Sequence, residues 1–281
     1  MTPATLAPAV IVPLDGTVHA TAALPVARGL AALLGSTPCI VHVGVRPRPP
    51  REMLEPLKLT SEQLEGSVLH QATGSPAAAI VDLAASRRHA LIVMCTHTGL
   101  DKPRGALGSV TREVLRTAAC PVVLVHPERG PRPWTLRRLL LPHDGTPTSA
   151  AALSPAAELA RRAGAELTVL HVAVPGSEPP GEPGTCAAPR YLDQPQHEWP
   201  AWAREFLDRL RAIGRPPGEV PMRLSFAAGE AGRAIVEFAS REASDLIVLA
   251  WRGVLEPGRA LTARAVVGGA SCPILVVRVA A

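Results

Sequence analysis

Val10-Ile-Val-Pro-Leu-Asp15-Gly16-Thr17 is the stretch that decides the fold, because the chain contains it twice. It returns as Leu139-Leu-Leu-Pro-His143-Asp144-Gly145-Thr146. Each version is an apolar run closed by Asp-Gly-Thr, the composition of a buried strand running into a turn. Working outward, Ile40-Val-His42-Val43 returns as Leu170-His171-Val172, Leu91-Ile-Val-Met94 as Leu246-Ile-Val-Leu249, and Cys120-Pro-Val-Val-Leu-Val125 as Cys272-Pro-Ile-Leu-Val-Val277. Asp15 to Asp144 and His42 to His171 are both 129 residues apart, whereas Leu91 to Leu246 is 155 and Cys120 to Cys272 is 152. The second copy therefore gains 26 residues after its second strand and loses 3 later. The gain falls in the Pro/Gly-rich stretch 175–200, which reads as a surface excursion.

Between the apolar runs lie Ala-rich amphipathic stretches, Ala20–Leu34, Pro76–Arg88 and Ser109–Ala118 in the first copy. Strands apolar throughout and separated by helices predict a parallel sheet covered on both faces. The expectation is two tandem doubly wound α/β domains, 1–130 and 131–281, each a five-stranded, mainly parallel sheet. Pro121 and Pro273 fit the first residue of a strand or an edge strand.

The chain has 281 residues, 19% charged, with a mean hydropathy of +0.18, a composition that builds cores and excludes a disordered chain. No apolar run is long enough to span a bilayer and no charged-then-apolar leader is evident, so the expectation is a soluble cytoplasmic protein without membrane partners. Five cysteines without a CxxC pair fit a reducing compartment. The +5 net charge is diffuse, and Lys58 and Lys102 are the only lysines. All eight aromatic residues lie beyond residue 130, so the first copy has no ring on which to stack a base. Both facts argue against nucleic acid as a partner.

In an open α/β sheet a ligand binds outside the carboxyl ends of the strands, where the strand order reverses. Asp15-Gly16-Thr17 stands at one such end. The loop from Cys95, ending in Gly108-Ser109-Val110-Thr111 at the start of a helix, stands at another. Gly108 lets a ligand approach the backbone, and Ser109 and Thr111 offer hydroxyl and N–H groups at a positive helix end, as a phosphate cradle would. The same residues also read as an ordinary helix cap and turn. Cys95 reads as a small buried hydrophobe rather than a reactive thiol. His42 and His171 read as repeat packing, since the nine histidines show no HxxxH or HExxH spacing. No P-loop, dinucleotide fingerprint or nucleophile elbow is present.

A strand ending in Asp-Gly-Thr, a second ending in His-Val, and Gly-Ser-Val-Thr ahead of a Cys-Pro-Val strand together resemble the universal stress proteins, over nearly the whole chain twice. The resemblance implies a tandem member with adenine nucleotide alpha hydrolase-like domains. It implies ATP as the ligand of the first domain, held through positions matching Asp15, Val43, Met94, Gly108, Ser109, Val110 and Thr111. It further implies a stress-response role without designed turnover, no metal, a pseudo-two-fold contact of Pro121–Val125 with Pro273–Val277, and a homodimer. The sequence departs from the family's glycine motif at Cys95 and Thr98, with Gly99 one residue on. The second copy keeps Gly253 but carries Ala260-Leu261 in place of Gly108-Ser109, so it is expected to bind no ATP in the family manner. Arg252, Arg259 and Arg264 are suited by charge to meet an anion, but solvated surface is the preferred reading for them. The competing reading is a nucleotide-free scaffold acting through protein partners. An enzyme of a related nucleotide-binding class ranks below both, because Asp15-Gly-Thr17 is neither a HIGH-like nor an SGGxDS-like loop.

Overall fold

A computed structural model describes residues 9–46, 48–97, 106–130, 132–173, 181–185, 199–252 and 260–279. Thr98, Gly99, Gly253 and Arg259, and most of the 175–200 stretch, lie outside them. The chain forms two compact units, Met1–Thr135 with Ser271–Val276, and Leu136–Ala270 with Val277–Ala281.

Unit 1 alternates strand and helix: β1 (Val10–Pro13), α1 (Ala23–Leu34), β2 (Pro38–Gly44), the single turn α2 (Ser61–Leu64), β3 (Val68–Thr73), α3 (Pro76–Ala85), β4 (Leu91–Cys95), α4 (Ser109–Thr117) and β5 (Val122–Val125). The strand order is β3-β2-β1-β4-β5 and all four pairings are parallel. Residues Ile274–Val276 add an antiparallel pairing to β5. The order reverses at β1, which has β2 on one side and β4 on the other, so the crevice expected of a doubly wound sheet opens beyond Pro13 and Cys95. Val10, Ile11, Val12, Ile92, Val93 and Val123 to Val125 are fully buried, as a sheet covered on both faces requires.

Unit 2 repeats the pattern with β6 (Arg138–Pro142), α5 (Pro147–Ala150), α6 (Leu153–Ala163), β7 (Glu166–Ala173), α7 (Trp199–Gly214), β8 (Met222–Ala228), α8 (Ala231–Arg241), β9 (Leu246–Trp251) and α9 (Leu261–Gly269). The last strand, β10 (Ile274–Arg278), has its residues 274–276 in unit 1 and 277–278 in unit 2. Here β9, β6, β7 and β8 lie side by side, with β6–β9, β6–β7 and β7–β8 parallel. The likeness reaches individual caps. Helix α1 ends on Gly35 at φ +64° and α6 on Gly164 at φ +61°, the left-handed position where glycine closes a helix without steric penalty. In both, the residue after the glycine donates its N–H five residues back at 2.8 Å, Ser36 to Ala31 and Ala165 to Ala160.

One aromatic residue departs from the expected partition of rings. Trp134 is buried in unit 1, with its ring against Gly29 of α1, where a Cβ would stand 2.6 Å from Cε3. The core of the first unit thus carries a ring that its sequence supplies only after the fifth strand.

Candidate functional site

At the end of β1, Asp15 closes a turn on itself: Thr17 donates its N–H (3.0 Å) and its hydroxyl (2.7 Å) to Asp15 Oδ1. Gly16 sits at φ +86°, and a Cβ there would stand 2.4 Å from the Pro56 carbonyl oxygen, so both conformation and space require glycine. Beside it on β2, Val43 is half-buried, and the Nδ1 of His42 bonds the Leu14 carbonyl oxygen at 3.0 Å. Across the crevice Met94 is buried in β4.

The start of α4 is anchored to β4 from both sides. Gly108 donates its N–H to Thr96 O (2.8 Å), and Thr111 donates its hydroxyl to Cys95 O (3.0 Å). The Thr111 side chain is buried and thus positions the helix rather than presenting its proton to a ligand. Ser109, by contrast, is exposed, and makes no cap to the helix; no acidic side chain stands in the first turn. The first intrahelical bond runs from Arg112 N to Gly108 O, so the N–H groups of 109 to 111 precede the helical ladder. Gly108 has φ −61°, open to any residue, and among the described residues a Cβ would meet nothing closer than 3.6 Å. Among the described residues no steric contact demands that glycine, which also serves as the N-cap of α4.

Burial, aided by the Asp15 and Glu128 carboxylates, pushes the Cys95 thiol up to about 12. Its Sγ donates to His19 O at 3.2 Å, so it behaves as a small core residue. Behind it the buried imidazoles of His97 and His126 lie 3.8 and 4.0 Å from the Glu128 carboxylate. Among the described residues no group of three or more His, Cys, Asp or Glu is arranged to hold a metal ion, and no helix is long and apolar enough to cross a membrane.

Unit 2 builds a different site at the matching place. The Asp-Gly-Thr turn is retained, with Thr146 N–H and hydroxyl on Asp144 Oδ1 at 3.0 and 2.7 Å. A third donor, the Ser149 hydroxyl, joins them at 2.6 Å. His143 stands where unit 1 has Leu14, and Ser149 where it has Ala20. Gly145 N–H donates to His143 Nδ1 (2.9 Å), which leaves the imidazole proton on Nε2, directed at Ser149 Oγ (3.2 Å). The serine proton therefore goes to Asp144 and the histidine is no base for it, despite the Ser-His-Asp composition. Burial lowers His143 to about 4, with the Asp144 charge opposing and His171 assisting. For Asp144, burial works against ionisation, but the bonds from Ser149 and Thr146 outweigh it and hold the carboxyl below its usual range. His171 donates from Nδ1 to His143 O (3.0 Å), as His42 does to Leu14 O, and its ring meets Trp202, Phe206 and Phe226 edge-on at 5.6–6.2 Å. The paired histidines are repeat packing.

Helix α9 begins at Leu261 with Ala260 before it, the positions that match Ser109 and Gly108. Ala260 sits at φ +54°, a left-handed conformation, and Leu261 is 63% exposed with no hydroxyl to offer. Arg252 is not idle surface: its guanidinium meets the Glu182 carboxylate at 2.9 Å. Sequence reasoning missed this pair and the His143–Ser149–Asp144 chain. The signal for the latter was a pair of polar residues at repeat positions that are apolar in the first copy.

A family model described as Universal stress protein family matches residues 8–126 and again 135–278. Among solved structures, the fold is similar to that of a universal stress protein from Archaeoglobus fulgidus DSM 4304, at 16% identity and a TM-score of 0.62, covering 97% of this chain and 96% of that one. It is also similar to a functionally unknown protein from Pseudomonas aeruginosa PAO1, at 20% identity and a TM-score of 0.65, covering 98% and 93%. At these identities the likeness is one of fold. Among curated proteins, no sequence matches the chain.

Proposed function

The chain belongs to the universal stress protein family, and from that membership we propose that unit 1 binds an adenine nucleotide, ATP first, while unit 2 does not. The observation that carries this reading is Gly108. It is a glycine that neither its φ nor its described neighbours require, set at the N-terminus of a nine-residue helix beside an exposed serine. The missing side chain leaves the backbone approachable where oriented N–H groups favour an anion. In this reading the 109–111 N–H groups and the Ser109 hydroxyl take phosphate oxygens. Asp15, Val43 and Met94 flank the nucleoside, and Thr111 and Val110 hold the helix start in place.

The role is binding or sensing rather than turnover. The Cys95 thiol stays protonated at neutral pH, and the Thr111 hydroxyl is engaged with the backbone, so neither supplies a nucleophile or base. The four described cysteines are free thiols, which supports a reducing, cytoplasmic setting. In unit 2 the αL alanine and exposed leucine give a phosphate neither an open backbone nor a hydroxyl.

The test is to denature the purified protein, identify released nucleotide, and titrate ATP into the stripped form calorimetrically. Binding is expected, abolished by Gly108→Leu and retained in Ala260→Leu, with circular dichroism confirming that both variants fold. Absence of both carry-over and binding heat would overturn the proposal and favour the partner-binding scaffold. Equal loss from both variants would contradict the assignment to unit 1.

A further inference from the structure

In unit 2 three residues distant in sequence meet at the carboxyl ends of the strands: Thr148 in the single turn α5, Glu182 in the described stretch 181–185, and Arg252 just after β9. The Glu182 carboxylate is gripped at both oxygens. Oε1 accepts from Thr148 N (2.8 Å) and from the Thr148 hydroxyl (2.6 Å), and Oε2 accepts from Arg252 Nη2 (2.9 Å). Arg252 Nη2 also donates to Thr148 Oγ1 at 3.0 Å, so the guanidinium and the hydroxyl form one receptor. The stretch that carries the glutamate is folded on itself, with Thr185 donating its N–H and its hydroxyl to Glu182 O at 3.1 and 2.6 Å. Gly184 lies against Pro147, where a Cβ would be 3.4 Å from Cγ. The Glu182 side chain is 25% exposed, the guanidinium side 59%, so the contact can open to solvent.

One turn of helix does not hold an anion by itself; the arginine and the hydroxyl do. Both belong to unit 2 alone, since unit 1 has His19 and His97 at the corresponding positions. A carboxylate seated on three donors, at the strand ends where doubly wound sheets take their ligands, is an oxyanion in an oxyanion receptor. Three donors from separate groups match the three oxygens of a terminal phosphate, and a guanidinium favours that class.

We propose that Thr148 and Arg252 form a phosphate-class oxyanion site in unit 2, and that Glu182 of the insertion occupies it as a tethered competitor. An external phosphate binds there only by displacing the glutamate. A contact closed nine-tenths of the time depresses apparent affinity about tenfold.

The test uses the full chain in a Gly108→Leu background, so that unit 1 contributes no signal, and titrates inorganic pyrophosphate at low and high salt. Glu182→Ala is expected to bind pyrophosphate about tenfold more tightly than the Glu182 parent, a gain that salt weakens. Glu182→Gln, which retains an acceptor and loses the charge, is expected to gain less than the alanine variant. Adding Arg252→Ala to Glu182→Ala is expected to remove the gain. The proposal is overturned if Glu182→Ala leaves pyrophosphate binding unchanged. It is equally overturned if the double variant keeps the gain, because the anion would then sit elsewhere.

Discussion

Acid should weaken unit 2 chiefly through the His143 imidazole, and replacing His143 with leucine should remove most of that sensitivity. His143 is neutral in the folded chain because burial lowers it to about 4, whereas in the unfolded chain it titrates near the ordinary value of about 6.5. A group depressed on folding binds fewer protons in the native state, so its contribution to stability is complete above the unfolded value and is lost as pH falls toward the folded one. Between pH 7.5 and 4.5 the two values imply a loss of about 2–3 kcal/mol from this residue. His171, also lowered by burial, acts in the same direction and leaves a residual slope in the variant. Leucine is the residue that unit 1 carries at the matching place, Leu14, which is buried there. Urea unfolding at constant ionic strength, at half-unit pH steps, gives the stability difference between wild type and His143→Leu at each pH. The stability of wild type minus that of the variant is expected to fall, relative to its pH 7.5 value, by about 2–3 kcal/mol at pH 4.5. A change below about 1 kcal/mol would refute the reasoning, since the imidazole would then be titrating alike in both states.

Ser149→Ala is expected to cost about 2–4 kcal/mol, because it strips a donor from a charged carboxylate and leaves the buried His143 Nε2–H without its acceptor. Chemical denaturation checks it, and a loss under about 0.5 kcal/mol would contradict the assigned proton directions. Gly29→Ala is expected to cost about 1–3 kcal/mol by driving a methyl into the Trp134 ring, and the Trp134 fluorescence should shift with it. Cys95 is expected to resist alkylation at pH 8 in the folded chain and to react on unfolding, read residue by residue by mass spectrometry.

The architecture was legible because the inner strands are apolar along most of their length and the Asp-Gly-Thr turn recurs at a fixed spacing, so two weak patterns reinforced each other. Strands β3 and β8, with His70, Gln71, Arg223 and Ser225, carry no such run. The same logic located the start of α4 at Ser109 and the cysteine as core. Thr111 was harder, because a hydroxyl in a helix's first turn reads alike whether it serves a ligand or, as here, the Cys95 carbonyl. Trp134 follows the last strand of the first copy in sequence, and only packing against Gly29 assigns it to that core. Glu182 was invisible for a stronger reason: a Pro/Gly-rich excursion has no periodicity from which to read the direction of any side chain.

The two residues that precede α4 and α9 fit their backbones unequally. Gly108 occupies an extended cap position in which glycine still outranks alanine, while Ala260 occupies a left-handed one in which glycine is preferred. Ala260→Gly is therefore expected to raise thermal stability by about 0.5–1 kcal/mol, whereas Gly108→Ala is expected to lower it. A chain engineered for robustness would change the second copy alone, and would leave untouched the bare stretch of backbone that most distinguishes the first.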